Sequence, residues 1–169
     1  MTDSEALAGT AGPIRGVALA GAPAAADRLE AFTPYLMNRI MARYNRGVEE
    51  ALREVGISVV QMRALAVLVA HGPHTVNELS VLTVMKQSTL SRTLDQMEAA
   101  GLIRREAGAT DSRIRMVHVT DTGRAAHDSA WPAMERMQQV MLAALAPEEG
   151  RLLNGLLKRM LHGIRHHDF

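Results

Sequence analysis

The stretch "TDSRIRMVHVTDTG", Thr110 to Gly123, limits the architecture of this chain more than any other. Polar turn residues and two arginines come first. "MVHV" then alternates apolar and polar side chains with the period of a strand, and "TDTG" starts a helix on a threonine cap. Upstream, "LIRRE" is a second short extended run, and "AGATDS" lies between the two as turn residues. Everything on either side has a helical period, so the pattern predicts a short arginine-tipped hairpin set into a helical protein.

The helices are read from their stripes and their punctuation. From Asp27 to about Glu54, Leu36, Ile40, Tyr44, Val48 and Leu52 recur every four residues, and Gly56 ends the run. Ser58 is a natural N-cap for a helix carrying Val59, Met62, Ala66 and Val69, which "HGPH" stops. Thr75 with Glu78 three residues on is a capping-box pattern for a short helix. Leu90, Leu94 and Met97 then form one buried stripe, closed by Gly101. Beyond the hairpin, Thr120 caps a long helix to about Ala146. Pro147, Glu148 and Glu149 start a last one bearing Leu153, Leu156, Leu157, Met160, Leu161 and Ile164.

The order is a long helix, three helices, a hairpin and two long helices. This predicts a mainly α fold with a small β-wing: a winged helix-turn-helix over about 58–120, flanked by helices over about 28–54 and 121–166. The flanking helices are too apolar on one stripe to stand alone in water, so two chains are expected to share them in a symmetric dimer. With 169 residues the chain is read as one domain over 28–169, after a flexible Ala/Gly-rich arm over 1–27. The aromatic content of 3% requires an aliphatic core.

Several function classes are excluded or disfavoured. The chain has no cysteine, so disulfides, thiolate metal sites and a Cys nucleophile are ruled out. No apolar run is long enough to span a membrane, and the N-terminus lacks the basic opening of a signal peptide, so a cytoplasmic protein is expected. A nucleophile elbow, a phosphate-binding glycine loop and a zincin helix are all absent, which argues against an enzyme. His71 with His74, and His162 with His166, His167 and Asp168, invite a metal reading. Two imidazoles one helical turn apart can bind Zn²⁺, but a structural site wants four ligands and nothing else nearby is clearly recruited, so no metal and no cofactor is expected. Trp131 is assigned to the core.

A formal net charge of +1 means that any nucleic-acid role rests on a local patch. The helix from Lys86 to Ala100 carries one. With Leu90, Leu94 and Met97 turned inward, Ser88, Arg92 and Gln96 point outward, flanked by Thr89 and Ser91. Small hydroxyls allow close approach to phosphates and base edges, and a guanidinium grips a phosphate or a guanine. Asp95 is discordant there and is expected to pair with Arg92, three residues away. The hairpin tip would place Arg113 and Arg115 over a minor groove, with Asp111 orienting Arg113. Arg104 and Arg105 are assigned to the DNA backbone side or to solvent.

The segment "TVNELSVLTVMKQSTLSRTLDQMEAAGLIRREAGATDSRIRMVHVTDTGRAA" resembles the core of the MarR family of bacterial transcriptional regulators. The likeness rests on "STLSRTLDQMEAAGLIRR", on "DSR" followed by "VHVTDTG", and on "LAPEEGRLLNGLL" for the last helix, and it extends over about Asp27 to His167. It implies a homodimer on a palindromic operator in double-stranded DNA, usually a repressor, released by a small phenolic or other aromatic effector. It also places Ser88, Thr89, Ser91 and Arg92 at recognition-helix positions and Arg113 at the wing tip. Ile114 and His118-Val119-Thr120 depart from the family pattern. Methionine adapts to irregular cavities, so Met62 and Met134, with Tyr35 and Arg39 on the first helix, are candidates for an effector pocket. The same methionines also serve as core filler. The competing reading is a winged-helix protein-interaction module without specific DNA binding.

Overall fold

The computed structural model describes residues 25–107 and 115–164. The described residues up to Leu36 belong to one compact unit and those from Met37 to another. In the first, α1 (Ala25–Glu30) ends in a turn at Ala31 and Phe32, and α2 (Thr33–Glu54) begins. The single helix expected from Asp27 is therefore broken, and Pro34 explains the break. In a continuous helix its ring would meet the carbonyl of Glu30, and it has no N–H to donate. The Phe32 carbonyl instead accepts the N–H groups of Tyr35 and Leu36, at 3.0 and 3.3 Å. The expected arm lies almost wholly in residues 1–24, outside the described residues.

From Met37 onward the fold continues through α3 (Val59–His71), β1 (His74–Thr75), α4 (Val76–Leu82), α5 (Gln87–Ala99), β2 (Ile103–Ala107), β3 (Arg115–Val119), α6 (Asp121–Leu142) and α7 (Pro147–Ile164). The architecture is mainly helical with a small antiparallel sheet, as expected. The caps follow the sequence. Ser58 exchanges hydrogen bonds with Gln61, Thr75 does the same with Glu78, and the Thr120 hydroxyl accepts from the Gly123 N–H. Gly101 ends α5 at φ +70°, a left-handed conformation that glycine adopts without strain. The backbone N–H and hydroxyl of Thr75 both donate to the Glu78 carboxylate, which holds its pKa below the usual carboxylate range.

The sheet differs from a simple hairpin. It has three strands in the order β1-β3-β2, because His74 and Thr75 pair antiparallel with Val117 and Met116. Two residues are too few to show a strand period, so β1 is invisible in the sequence. In the main pair, Ile103 faces Val119, Arg105 faces Val117 and Ala107 faces Arg115.

Two apolar clusters hold this unit. Ala64, Leu65, Leu68, Leu79, Leu90, Leu94, Met97, Ile103 and Val117 form the core of the winged region. Val48, Leu52, Met62, Ala130 and Ala133 form a second core, joining α2 and α3 to α6. Pro132 sits inside α6 and cannot donate to the Asp128 carbonyl, yet the helix runs through it with Ala130 and Ala133 packed on either side. The helix ends at Leu142, one turn short of the expected Ala146.

Among the described residues, one non-glycine residue has a strained backbone. Val84, in the turn between α4 and α5, has φ +55° although it is β-branched, and its side chain is 86% exposed. The left-handed conformation costs such a residue about 1–2 kcal/mol, and no burial offsets it here. Asparagine tolerates that region far better. Val84→Asn is therefore expected to stabilise the protein by about 1 kcal/mol, read as a thermal midpoint several degrees higher. An unchanged or lower midpoint would mean that Val84 makes a contact worth more than its strain.

Candidate nucleic-acid interface

α5 is fixed from below and open above. Leu90, Leu94 and Met97 are fully buried, and the opposite side presents Ser88, Arg92 and Gln96, all exposed and four residues apart. Thr89 and Lys86 are exposed beside them, and Ser91 is half-buried. Unlike α3, α4 and α6, α5 starts without a side-chain cap: Lys86 at its N-cap makes no capping hydrogen bond. The partly positive end of this helix and the Lys86 ammonium are thus presented together.

The carboxylate that seemed discordant has a different partner from the one expected. Asp95 does not pair with Arg92; it accepts from the Arg105 guanidinium at 2.6 Å. Arg105 also lies 3.3 Å from Glu98 and 3.5 Å from the Ser91 carbonyl, and its own backbone N–H donates to Glu98 at 2.9 Å. Arg105 is therefore not a solvent residue: its side chain is 21% exposed. It is a tie from β2 to α5, which neutralises Asp95 and leaves Arg92 without an ion pair among the described residues. Arg104 extends from the other side of β2 and pairs with Glu106. His118 on β3 lies 3.3 Å from Glu106. Burial, and then the Arg104 charge, push the His118 pKa down, so this imidazole is neutral near pH 7.

Arg115 begins β3 and is exposed, opposite Ala107. Asp111 and Arg113, the other wing residues singled out in the sequence, lie outside the described residues. The base of the wing is joined to α6 by backbone. Thr120 donates its N–H to the Leu102 carbonyl at 3.1 Å and its hydroxyl to the Gly101 carbonyl at 2.6 Å. Gly123 packs against the same Leu102 carbonyl so closely that a Cβ there would lie 2.0 Å from the oxygen. No signal in the sequence marked this joint beyond the threonine cap.

The four residues assigned to an effector pocket lie on three helices, α2, α3 and α6. Met62 is fully buried in the second core, and Met134 packs against that core from α6. Tyr35 is half-buried and Arg39 exposed on the first turns of α2. A cavity of about 360 Å³ opens instead between α2 and α6, lined by Ile40, Arg43, Tyr44, Gly47, Met137, Val140 and Met141. Burial raises the Tyr44 pKa, with Arg63 opposing, so the phenol stays protonated at neutral pH. A larger hollow of about 750 Å³, between α2 and the start of α3, has Asn45, Glu49, Arg53, Gln61 and Arg63 on its wall.

One further reading is corrected by packing. Trp131 is 40% exposed rather than in the core: its ring stacks on His127 at 5.1 Å and its Nε1 donates to Glu135. The His71 and His74 rings meet edge-on at 6.4 Å, and the described residues bring no three His, Asp or Glu side chains together as a metal-ligand group. His166, His167 and Asp168 lie outside the described residues. No described helix is long and apolar enough to cross a membrane.

Comparison with known proteins places this geometry. A family model described as the MarR family matches residues 55–114. A MarR-family transcriptional regulator of solved structure from Silicibacter pomeroyi is 40% identical, with a TM-score of 0.74, over 83% of this chain and 95% of its own. The HTH-type transcriptional repressor IacR of Pseudomonas putida is 26% identical over 144 residues, covering 81% of this chain and 82% of that protein. A mutant E. coli MarR complexed with operator DNA shares the fold at a TM-score of 0.65, with 24% identity over 75% of this chain and 91% of its own.

Proposed function

This chain belongs to the MarR family of transcriptional regulators, and from that premise we propose that it is a homodimeric, cytoplasmic repressor of an inverted-repeat operator, released by a small aromatic or phenolic effector. The observation that carries the DNA-binding part is the exposed face of α5. Ser88, Arg92 and Gln96 line one side of a helix whose other side is locked into the core, with Lys86 at its open N-terminus. In this reading Arg92, Gln96 and the hydroxyls of Ser88, Thr89 and Ser91 address the major groove. Arg115, and Arg113 oriented by Asp111, address the neighbouring minor groove.

The dimer is supported by apolar surface that one chain leaves uncovered. On α7 only Gly150 is buried, while Leu152, Leu156, Met160, Leu161 and Ile164 are exposed. On the α2 stripe Val48 and Leu52 enter the core, but Ile40 stays 49% exposed. Such a surface on a monomer marks an interaction site. Two copies would then present recognition helices about 34 Å apart, one DNA turn.

The effector reading attaches to the cavity between α2 and α6. Arg43 offers a cation, the protonated Tyr44 a hydrogen-bond donor, and Met137 and Met141 a deformable apolar wall. Tyr35 and Arg39 precede them on the same helix. A ligand held there favours whichever spacing of the two recognition helices lets it bind better, and it lowers DNA affinity by that difference alone. The interaction-module reading loses one of its supports, because Asp95 is already neutralised by Arg105.

The test is selection of bound fragments from sheared genomic DNA by the purified protein, at low and at physiological salt. Recovery of an inverted repeat with two half-sites is expected. Fragments without a shared motif, or none at physiological salt, would sink the operator reading, because phosphate contacts alone are lost as salt rises.

A further inference from the structure

The tie between β2 and α5 does more than neutralise a carboxylate. β2 is an edge strand, since β3 lies between it and β1. Its outward backbone N–H at Arg105 would be unpaired, and one Glu98 oxygen accepts it at 2.9 Å. The other Glu98 oxygen lies 3.3 Å from the guanidinium of the same residue. Asp95, one turn back on α5, accepts from that guanidinium at 2.6 Å, and the Ser91 carbonyl lies at 3.5 Å. One residue of the wing is thus held at backbone and side chain by three successive positions of the recognition helix, Ser91, Asp95 and Glu98. A fork of fixed planar donors suits such an arrangement, whereas a flexible ammonium does not.

The tie is poorly explained as a source of stability. The Arg105 Nε is buried with no hydrogen-bond partner, a cost that an apolar side chain would avoid. Ion pairs of this kind are weak evidence for stability, and geometric specification is the better-attested use. What it specifies here is the angle of the first wing strand to the recognition helix. Resting on the DNA-binding reading above, we propose that Arg105, braced by Asp95 and Glu98, is a positioning residue that keeps the wing in phase with α5, so that both enter their grooves together. Arg105 itself does not touch DNA.

The experiment compares the parent protein with Arg105→Met and Asp95→Asn on a labelled duplex carrying the motif selected from genomic DNA. Binding is read by titration and by two footprints. Hydroxyl radical reports the minor-groove flanks, and dimethyl sulfate reports guanine N7 in the major groove. Arg105→Met is expected to weaken binding about tenfold, the size of one charge-assisted contact network. At saturation it should lose the flank protection while keeping the guanine protection. Asp95→Asn alters a residue whose side chain is 62% exposed, so it guards against a failure to fold. It is expected to weaken binding in the same pattern.

Three results would overturn the proposal. They are a parent-like footprint for Arg105→Met, an equal loss of both protections, and tighter binding by Asp95→Asn, which would mark that carboxylate as a simple repulsive charge. A failure of the underlying reading looks different: the parent protein would then leave no paired major- and minor-groove footprint at all.

Discussion

Gly123→Ala is expected to destabilise the protein by about 3 kcal/mol, at the upper end of what overpacking costs, and to do so without removing a single side-chain contact. The reason is the joint between the wing and α6. A Cβ at residue 123 would lie 2.0 Å from the Leu102 carbonyl oxygen and 2.9 Å from Val119 Cγ2. The nearer obstacle is backbone and cannot rotate away. That same carbonyl accepts the Thr120 N–H at 3.1 Å, and the Thr120 hydroxyl is anchored 2.6 Å from the Gly101 carbonyl. Moving α6 aside therefore stretches both bonds, each worth about 1 kcal/mol. Urea unfolding at fixed protein concentration measures the loss, with the concentration held because a dimer gains apparent stability by mass action. Gly101→Ala is the control. Its φ is +70°, but nothing lies within 4 Å of the added Cβ, so only the backbone penalty of about 1 kcal/mol remains. Equal losses for the two variants would show that α6 relaxes freely and that the joint is not rigid.

The contrast between these glycines also shows what a sequence makes legible. Gly101 follows an apolar stripe, which is the position of a helix stop, and it is one. Gly123 reads as part of a capped helix start, and nothing local reveals that its neighbour is a carbonyl from the turn between α5 and β2. Ser58, Thr75, Thr120 and Pro147 mark helix starts through chemistry confined to a few residues, and all four lie where the structure begins a helix. The outward face of α5 was legible for a related reason, as the complement of Leu90, Leu94 and Met97 on a rigid period.

Long-range pairing was not legible. Asp95 has Arg92 three residues away, a reasonable local partner, but β2 returns Arg105 to the same place with a better-fixed geometry. β1 exists only because β3 comes back to it. Met62 lies on an apolar stripe, and a stripe does not say whether a methionine faces a cavity or a core; Ala130 and Ala133 close that space from α6. Pro34 was the exception. It was local and readable, yet the four-residue recurrence of Leu36, Ile40 and Tyr44 masked it.

Arg92→Ala carries the largest expected effect on binding. Arg92 is exposed at the centre of the outward face of α5 and, among the described residues, no carboxylate holds it. Losing a guanidinium contact costs about 1–3 kcal/mol at one half-site. The proposed dimer loses two, so affinity for the selected operator should fall at least about thirtyfold. The thermal midpoint should not move, since the side chain supports no part of the core. Arg92→Lys then separates the two roles a guanidinium can have. A lysine still meets a phosphate as a point charge, so a phosphate contact would survive the change. A bidentate contact to guanine would not, because an ammonium lacks the planar fork. If the role is on the backbone, Arg92→Ala lowers the salt slope by about 2, one contact for each subunit, and binding weakens evenly across sequences. If the role is on a base, discrimination at one position of each half-site relaxes instead. Operator binding by Arg92→Ala equal to that of the parent would remove α5 from the major groove, and with it the docking of the whole winged region.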